Sequence, residues 1–154
     1  MTTPAGVPRP STNPFQSVSA ETAIVPTAHH LRAARREKPW GHELIYAMGT
    51  HGYVGKVISV NAGSSLSLQM HRQKDETIHV LSGEALFESG PDALDLEPTT
   101  LLAGATVHVP PQVLHRITAI TDVLLAEVST ADPGWEHDVV RLADEYGRDG
   151  TSTP

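Results

Sequence analysis

The sequence predicts an all-β fold, a barrel or sandwich of short antiparallel strands, with a flexible N-terminal arm and a short C-terminal helical segment. Three observations carry this expectation. From Glu43 onward the chain breaks into brief runs, most of them enriched in β-branched residues. Gly, Pro, Asn and Asp separate those runs, and helix signals are scarce before Pro133.

Residues 1–30 are rich in Pro, Ser and Thr and show no sustained periodicity, so they read as a flexible arm. The basic run "RAARREK", Arg32 to Lys38, reads as a solvated linker. Nine strands follow: "ELIYAM", "YVGKVISV", "SLSLQMH", "ETIHVLS", "EALFE", "TTLL", "TVHVP", "LHRITA" and "VLLAEVS". The joins "NAGS", "SGE", "SGPDA", "LAGA" and "VPPQ" have turn chemistry. The last periodic segment, "HDVVRLADEYGR", reads as one short helix beginning near Asp138 and ended by Gly147. One domain over 31–148 and a tail over 149–154 complete the organisation.

With 18 acidic and 11 basic residues, and no basic stripe interleaved with aromatics, nucleic acid is not an expected partner. No apolar run reaches membrane-spanning length and no secretory pattern opens the chain, so no membrane partner and a cytoplasmic location are the default expectations. Cysteine is absent, which excludes disulfides, thiolate metal sites and a cysteine nucleophile. Any metal must be held by nitrogen and oxygen.

One stretch points to such a site. In "LSLQMHRQKDETIHVLSG", Leu66 to Gly83, strand alternation turns Gln69 and His71 to one face, and Glu76 opens the next strand. The spacing around them is ordered. Gly63 precedes Gln69 by five intervening residues, with His71, Glu76 and Gly83 following; downstream, Gly104 is followed by Pro110, Pro111 and His115.

These spacings resemble the paired motifs of the cupin superfamily, G(X)5HXH(X)3-4E(X)6G and G(X)5PXG(X)2H(X)3N. Gln69 stands in place of the first His, Gln112 in place of the second motif's Gly, and Ala119 in place of the last Asn. The chain is more similar to the cupin domain of type II phosphomannose isomerases, which also carry "LSLQMH" and a glutamate five residues after the His. That likeness extends from "KPWG" (Lys38 to Gly41) through "GKVISV" to "HRITA" and "DVVRLADEYGR".

The resemblance implies a cupin (jelly-roll) β-barrel and a divalent metal held by Gln69, His71, Glu76 and His115. These donors suit zinc first, and also Mn, Fe, Co or Ni. Glu76 and Lys56 are the candidate catalytic residues; with Glu76 engaged as a ligand, Lys56 or water on the metal is left as the base. Lys56, Arg141 and Arg148 match family positions suited to phosphate; Lys56 reads equally as a solvated surface lysine, and for the two arginines a segment salt-bridged to Asp138, Asp144 or Glu145 is the plainer reading. Lys74 replaces an arginine and Thr77 a histidine of those isomerases, which puts their substrate in question. Trp40 reads as a structural plug more readily than as a sugar platform. His79, His108 and Arg116 fall on outward faces by alternation.

The functional expectation is a metal-dependent sugar or sugar-phosphate isomerase with a small-molecule, phosphorylated substrate. Two alternatives stand beside it: an Fe or Ni dioxygenase of a small enol or phenol, and a non-catalytic small-molecule-binding cupin. A homodimer paired through edge strands and arms is expected.

Overall fold

Strand alternation and turn glycines shape the chain seen in the computed structural model, which describes residues 28–152. Most of the expected arm, residues 1–27, lies outside the described residues. The unit beginning at Arg32 contains eleven strands: β1 (Ala34–Lys38), β2 (Gly41–Gly49), β3 (Tyr53–Val60), β4 (Leu68–His71), β5 (Glu76–Ser82), β6 (Glu84–Gly90), β7 (Glu97–Leu102), β8 (Thr106–Val109), β9 (Leu114–Ala119), β10 (Val123–Thr130) and β11 (Val139–Ala143). They form two antiparallel sheets, β1-β2-β3-β10-β5-β8 and β11-β4-β9-β6-β7. This is the all-β jelly roll of a cupin, and the nine expected strands correspond to β2 through β10.

Two segments depart from expectation. "RAARREK" is not a linker throughout, because Ala34–Lys38 pairs with β2 in the register Arg36↔Glu43 and Lys38↔Gly41. Its charges mask the alternation: Arg36 and Lys38 turn inward toward Glu43, while Arg35 and Glu37 face water. The helix expected from Asp138 is instead a strand. β11 pairs with β4, Val139 opposite His71 and Arg141 opposite Gln69. Asp138 caps no helix; its Oδ2 accepts the backbone N–H groups of Gln73 at 3.1 Å and Lys74 at 2.9 Å. The only helical turn among the described residues is 3₁₀, at Trp135–His137.

The inward faces set up the site. Val60 and Ile58 give way to Lys56 along β3, Leu125 to Glu127 along β10, Ile78 to Glu76 along β5, and Ile117 to His115 along β9. The space between the sheets is therefore apolar at one end and ionisable at the other. Trp40, 5% exposed, packs with the apolar cluster, which is the structural role anticipated for it.

Tight turns hold the registers. Gly83 adopts φ +87°, and a Cβ there would meet the Asp122 carbonyl oxygen at 2.2 Å. Gln112, where the cupin motif carries glycine, is the sole described non-glycine residue with positive φ, at +68°. It donates its N–H to the His71 carbonyl at 2.7 Å, fixing the loop before β9 against β4.

Gln112→Gly is expected to relieve left-handed strain and raise stability by about 0.5–1 kcal/mol. Gly83→Ala is expected to lower it by about 2–4 kcal/mol. Urea unfolding of the two variants checks both signs.

Candidate metal centre

Three separated strands bring one imidazole, one carboxylate and a second imidazole together. His71 ends β4, Glu76 begins β5 and His115 lies second in β9, all three buried. One donor atom from each lies within 4.8 Å of the others. Glu76 Oε1 is 3.0 Å from His115 Nε2 and 3.8 Å from His71 Nε2.

The hydrogen bonds around this cluster leave it short of a cation. His115 Nδ1 lies 3.0 Å from the Val113 carbonyl, which accepts from it, and this contact turns Nε2 toward Glu76. Glu76 Oε1 and both ring nitrogens of His71 are buried without a hydrogen-bond partner. Buried acceptors facing one another without a shared proton are unfavourable, and a divalent ion between them would resolve the conflict. Zinc-ligand bonds of about 2.1 Å put neighbouring donors roughly 3.0–3.4 Å apart; the Glu76–His115 separation of 3.0 Å matches this, and the Glu76–His71 separation of 3.8 Å is wider. The residues present therefore fit a metal.

Glu76 is held from its other side. Its Oε2 lies 2.5 Å from Lys74 Nζ, and Lys74 Nζ lies 2.8 Å from Glu127 Oε1. With Oε2 engaged, Oε1 is the oxygen turned to the imidazoles. Burial acts to raise the Glu76 pKa, but the Lys74 ammonium beside it holds it well below the usual carboxylate range. Burial likewise opposes charge on Lys74, yet Glu127 and Glu76 hold its pKa above that of an ordinary ammonium. His71 is pushed down to about 4, chiefly by burial, with Lys74 adding to it; the ring is neutral at neutral pH, as a ligand must be.

A pocket of about 100 Å³, open to solvent, is lined by His71 and Lys74, while Glu76 and His115 line a smaller adjoining cavity that shares Gln69 with it. Gln69 lines it beside His71, with its Oε1 accepting the Ser67 hydroxyl at 2.7 Å. Lys56 points inward, 3.3 Å from Glu127 and 3.9 Å from Glu43, and its Nζ sits 5.3 Å from the Trp135 ring centre. Arg141 and Arg148 line the same pocket. Arg148 is also paired with Asp144 through two contacts, at 2.7 and 3.0 Å, which is the plainer role considered for it. Arg141 Nη1 donates to the Thr151 carbonyl and hydroxyl, each at 3.2 Å. Arg116 faces outward and pairs with Glu88, and His108 is exposed, paired with Asp75.

Sequence reasoning missed three buried acids and bases. Lys74, notable in sequence only as a replacement for the family's arginine, lies within the site, and Glu43 and Glu127 belong to no motif. Alternation contained the signal for the acids, since Glu127 continues the inward series Val123, Leu125 and Glu43 shares a face with Ile45.

Comparison with known proteins shows the family and the fold. Residues 26–144 match the family model described as mannose-6-phosphate isomerase C-terminal. The chain belongs to that family. Among curated members related to this mannose-6-phosphate isomerase C-terminal domain, xanthan biosynthesis protein XanB of Xanthomonas campestris pv. campestris is 34% identical, the match covering 72% of this chain and 23% of XanB. Alginate biosynthesis protein AlgA of Pseudomonas putida is 35% identical over 83% of this chain and 24% of AlgA. The chain thus spans about a quarter of the length of these relatives. In structure, the capsular polysaccharide assembling protein CapF from Staphylococcus aureus superposes with a TM-score of 0.64 at 16% identity, covering 75% of this chain and 35% of CapF, a likeness of fold.

Lys74→Met is expected to leave the carboxylates of Glu76 and Glu127 buried together without their shared cation. A loss of about 3–5 kcal/mol in denaturant unfolding is the expected outcome, and a change below about 1 kcal/mol would contradict the ion-pair assignment.

Proposed function

We propose that this domain is a metal-dependent sugar-phosphate isomerase centre, in which His71, Glu76 and His115, joined by Gln69, hold a divalent ion. The observation that supports this most is the set of buried, hydrogen-bond-deficient donor atoms on His71 and Glu76 beside His115, in a domain of the mannose-6-phosphate isomerase C-terminal family. Zinc is the first choice for two imidazoles, a carboxylate and an amide oxygen; Mn, Fe, Co or Ni also suit that set. When bound, such an ion polarises a carbonyl oxygen.

The chain's own residues supply the rest. Aldose–ketose interconversion moves a proton between adjacent carbons, which requires a substrate held rigidly and shielded from water. We assign the phosphate to the basic wall of the pocket, Lys56, Arg141 and Arg148, where guanidinium forks suit its oxygens. Lys56, between the carboxylates of Glu43 and Glu127, is surrounded as an ammonium is, and we assign it to donate to substrate oxygen. Neutral His71 and the apolar floor of Ile58 and Leu66 complete the chamber, with Glu76 and His115 in the smaller cavity adjoining it.

The purified chain is expected to bind one divalent ion per copy by elemental analysis. The loaded protein is expected to exchange solvent deuterium into mannose 6-phosphate or fructose 6-phosphate without consuming oxygen. His115→Ala and Glu76→Gln should each weaken metal binding by more than the roughly 10–100-fold typical of losing an outer partner, and abolish exchange. A loaded protein that exchanges neither sugar overturns the isomerase reading; iron-dependent oxygen uptake would replace it with an oxygenase.

A further inference from the structure

The two tryptophans of this chain are put to different uses. Trp40 is packed into the apolar cluster between the sheets, whereas Trp135 stands outside that cluster, half-buried, on the 3₁₀ turn between β10 and β11. The core is the ordinary place for so large an apolar surface. The Trp135 indole lines instead the same pocket as Lys56, His71 and Arg141, a chamber otherwise rich in ionisable groups. Lys56 Nζ stands over the ring, 5.3 Å from its centre, so the indole presents its face and not its edge to that space.

The turn is braced from several directions. Glu136 Oε1 meets Arg36 Nη2 of β1 at 2.5 Å. The Trp135 N–H donates to the Asp132 carbonyl at 2.9 Å, and the Trp135 carbonyl accepts the Asp138 N–H at 3.2 Å. Asp138 is itself tied to the backbone of Gln73 and Lys74. Gly134 supplies the φ of +87° with which the chain enters the turn. An aromatic side chain on so braced a segment has little freedom left to lose when a ligand arrives, which favours affinity.

We infer that Trp135 is a platform for the substrate in its closed-ring form, the C–H face of a pyranose lying against the indole. This rests on the sugar-phosphate reading above and narrows it to a cyclic hexose phosphate. A pyranose gathers several C–H bonds on one face and turns hydroxyls to its rim, whereas an open chain has no such face to offer. The pocket is divided in the same way. The indole, Ile58 and Leu66 are its apolar part, and Lys56, Arg141 and Arg148 line the same space as donors to hydroxyl and phosphate oxygens. A ring entering over the indole displaces the Lys56 ammonium from the face to the rim, where a sugar oxygen accepts from it.

Two probes with the same phosphate separate ring from chain: 1,5-anhydromannitol 6-phosphate, whose ring cannot open, and acyclic mannitol 6-phosphate. In calorimetric titrations of the full chain with zinc supplied, the ring probe is expected to bind about five- to tenfold more tightly than the acyclic one. Trp135→Leu should remove that preference while leaving the affinity for the acyclic probe within about twofold, and Trp135→Phe, which keeps an aromatic face, should retain most of it. In the native chain the ring probe, and not the acyclic one, should shield the half-buried indole from acrylamide quenching. This readout decides the matter if the leucine variant does not fold. Binding of neither probe, equal affinity for the two, parallel loss of both in Trp135→Leu, or an indole left open to acrylamide by the ring probe overturns the inference. Deuterium exchange into the sugar phosphates is scored separately. Exchange without a ring preference removes the platform and leaves the isomerase, whereas a ring preference without exchange keeps the platform as a binding site and removes the isomerase.

Discussion

The buried ammonium of Lys74, bridging Glu76 and Glu127, is the interaction on which the interior of this domain depends. Two carboxylates from adjacent strands β5 and β10 face the same enclosed space, and without a cation between them neither could stay ionised. Lys74 sits in the short connection between β4 and β5, whose backbone is tied down by Asp138. A loop residue thereby locks two strands, orients one carboxylate oxygen toward His71 and His115, and passes charge balance outward through Glu127 to Lys56 and Glu43. The alternation of charges runs from the cluster of His71, Glu76 and His115 to the mouth of the pocket, where Arg36 meets Glu136.

That network needs an apolar foundation. Each inward strand face changes from aliphatic to ionisable at nearly one level, so the Ile58, Ile78, Ile117 and Leu125 side chains beneath exclude water and fix rotamers above. Desolvation then sharpens every charge interaction in the chamber, and it is also what drives His71 to the neutral form. The family relationship bears on this half of the molecule most directly, because the spacing pattern that identifies the family encodes the turns and the ligand cluster together.

Much of the fold was legible because strands announce themselves by alternation and turns by glycine, and both signals are dense between Glu43 and Thr130. The meeting of the candidate residues was legible for the same reason: Gln69 and His71 share a face whatever the sheet does. β1 escaped because charges on both of its faces erase the contrast that alternation relies on. β11 was taken for a helix because Asp138 and Gly147 mimic caps, whereas tertiary pairing with β4 governs and the β-branched Val139 and Val140 fit it. Lys74 is different in kind. No periodicity governs a loop, so its burial depended on a contact from β10, some fifty residues downstream.

The pairing of β11 with β4 has a consequence for how the chamber comes into being. His71 and Gln69 are emitted early, yet the strand that flanks them and the loop carrying Thr151, which receives Arg141, come last among the described elements. A nascent chain exposing only the residues through β9 owns all four candidate ligands but not the enclosure that strips them of water. The enclosure around the candidate ligands is thus completed by elements that follow all four of them in the chain, so the chamber is a long-range product of tertiary pairing rather than of the local motif.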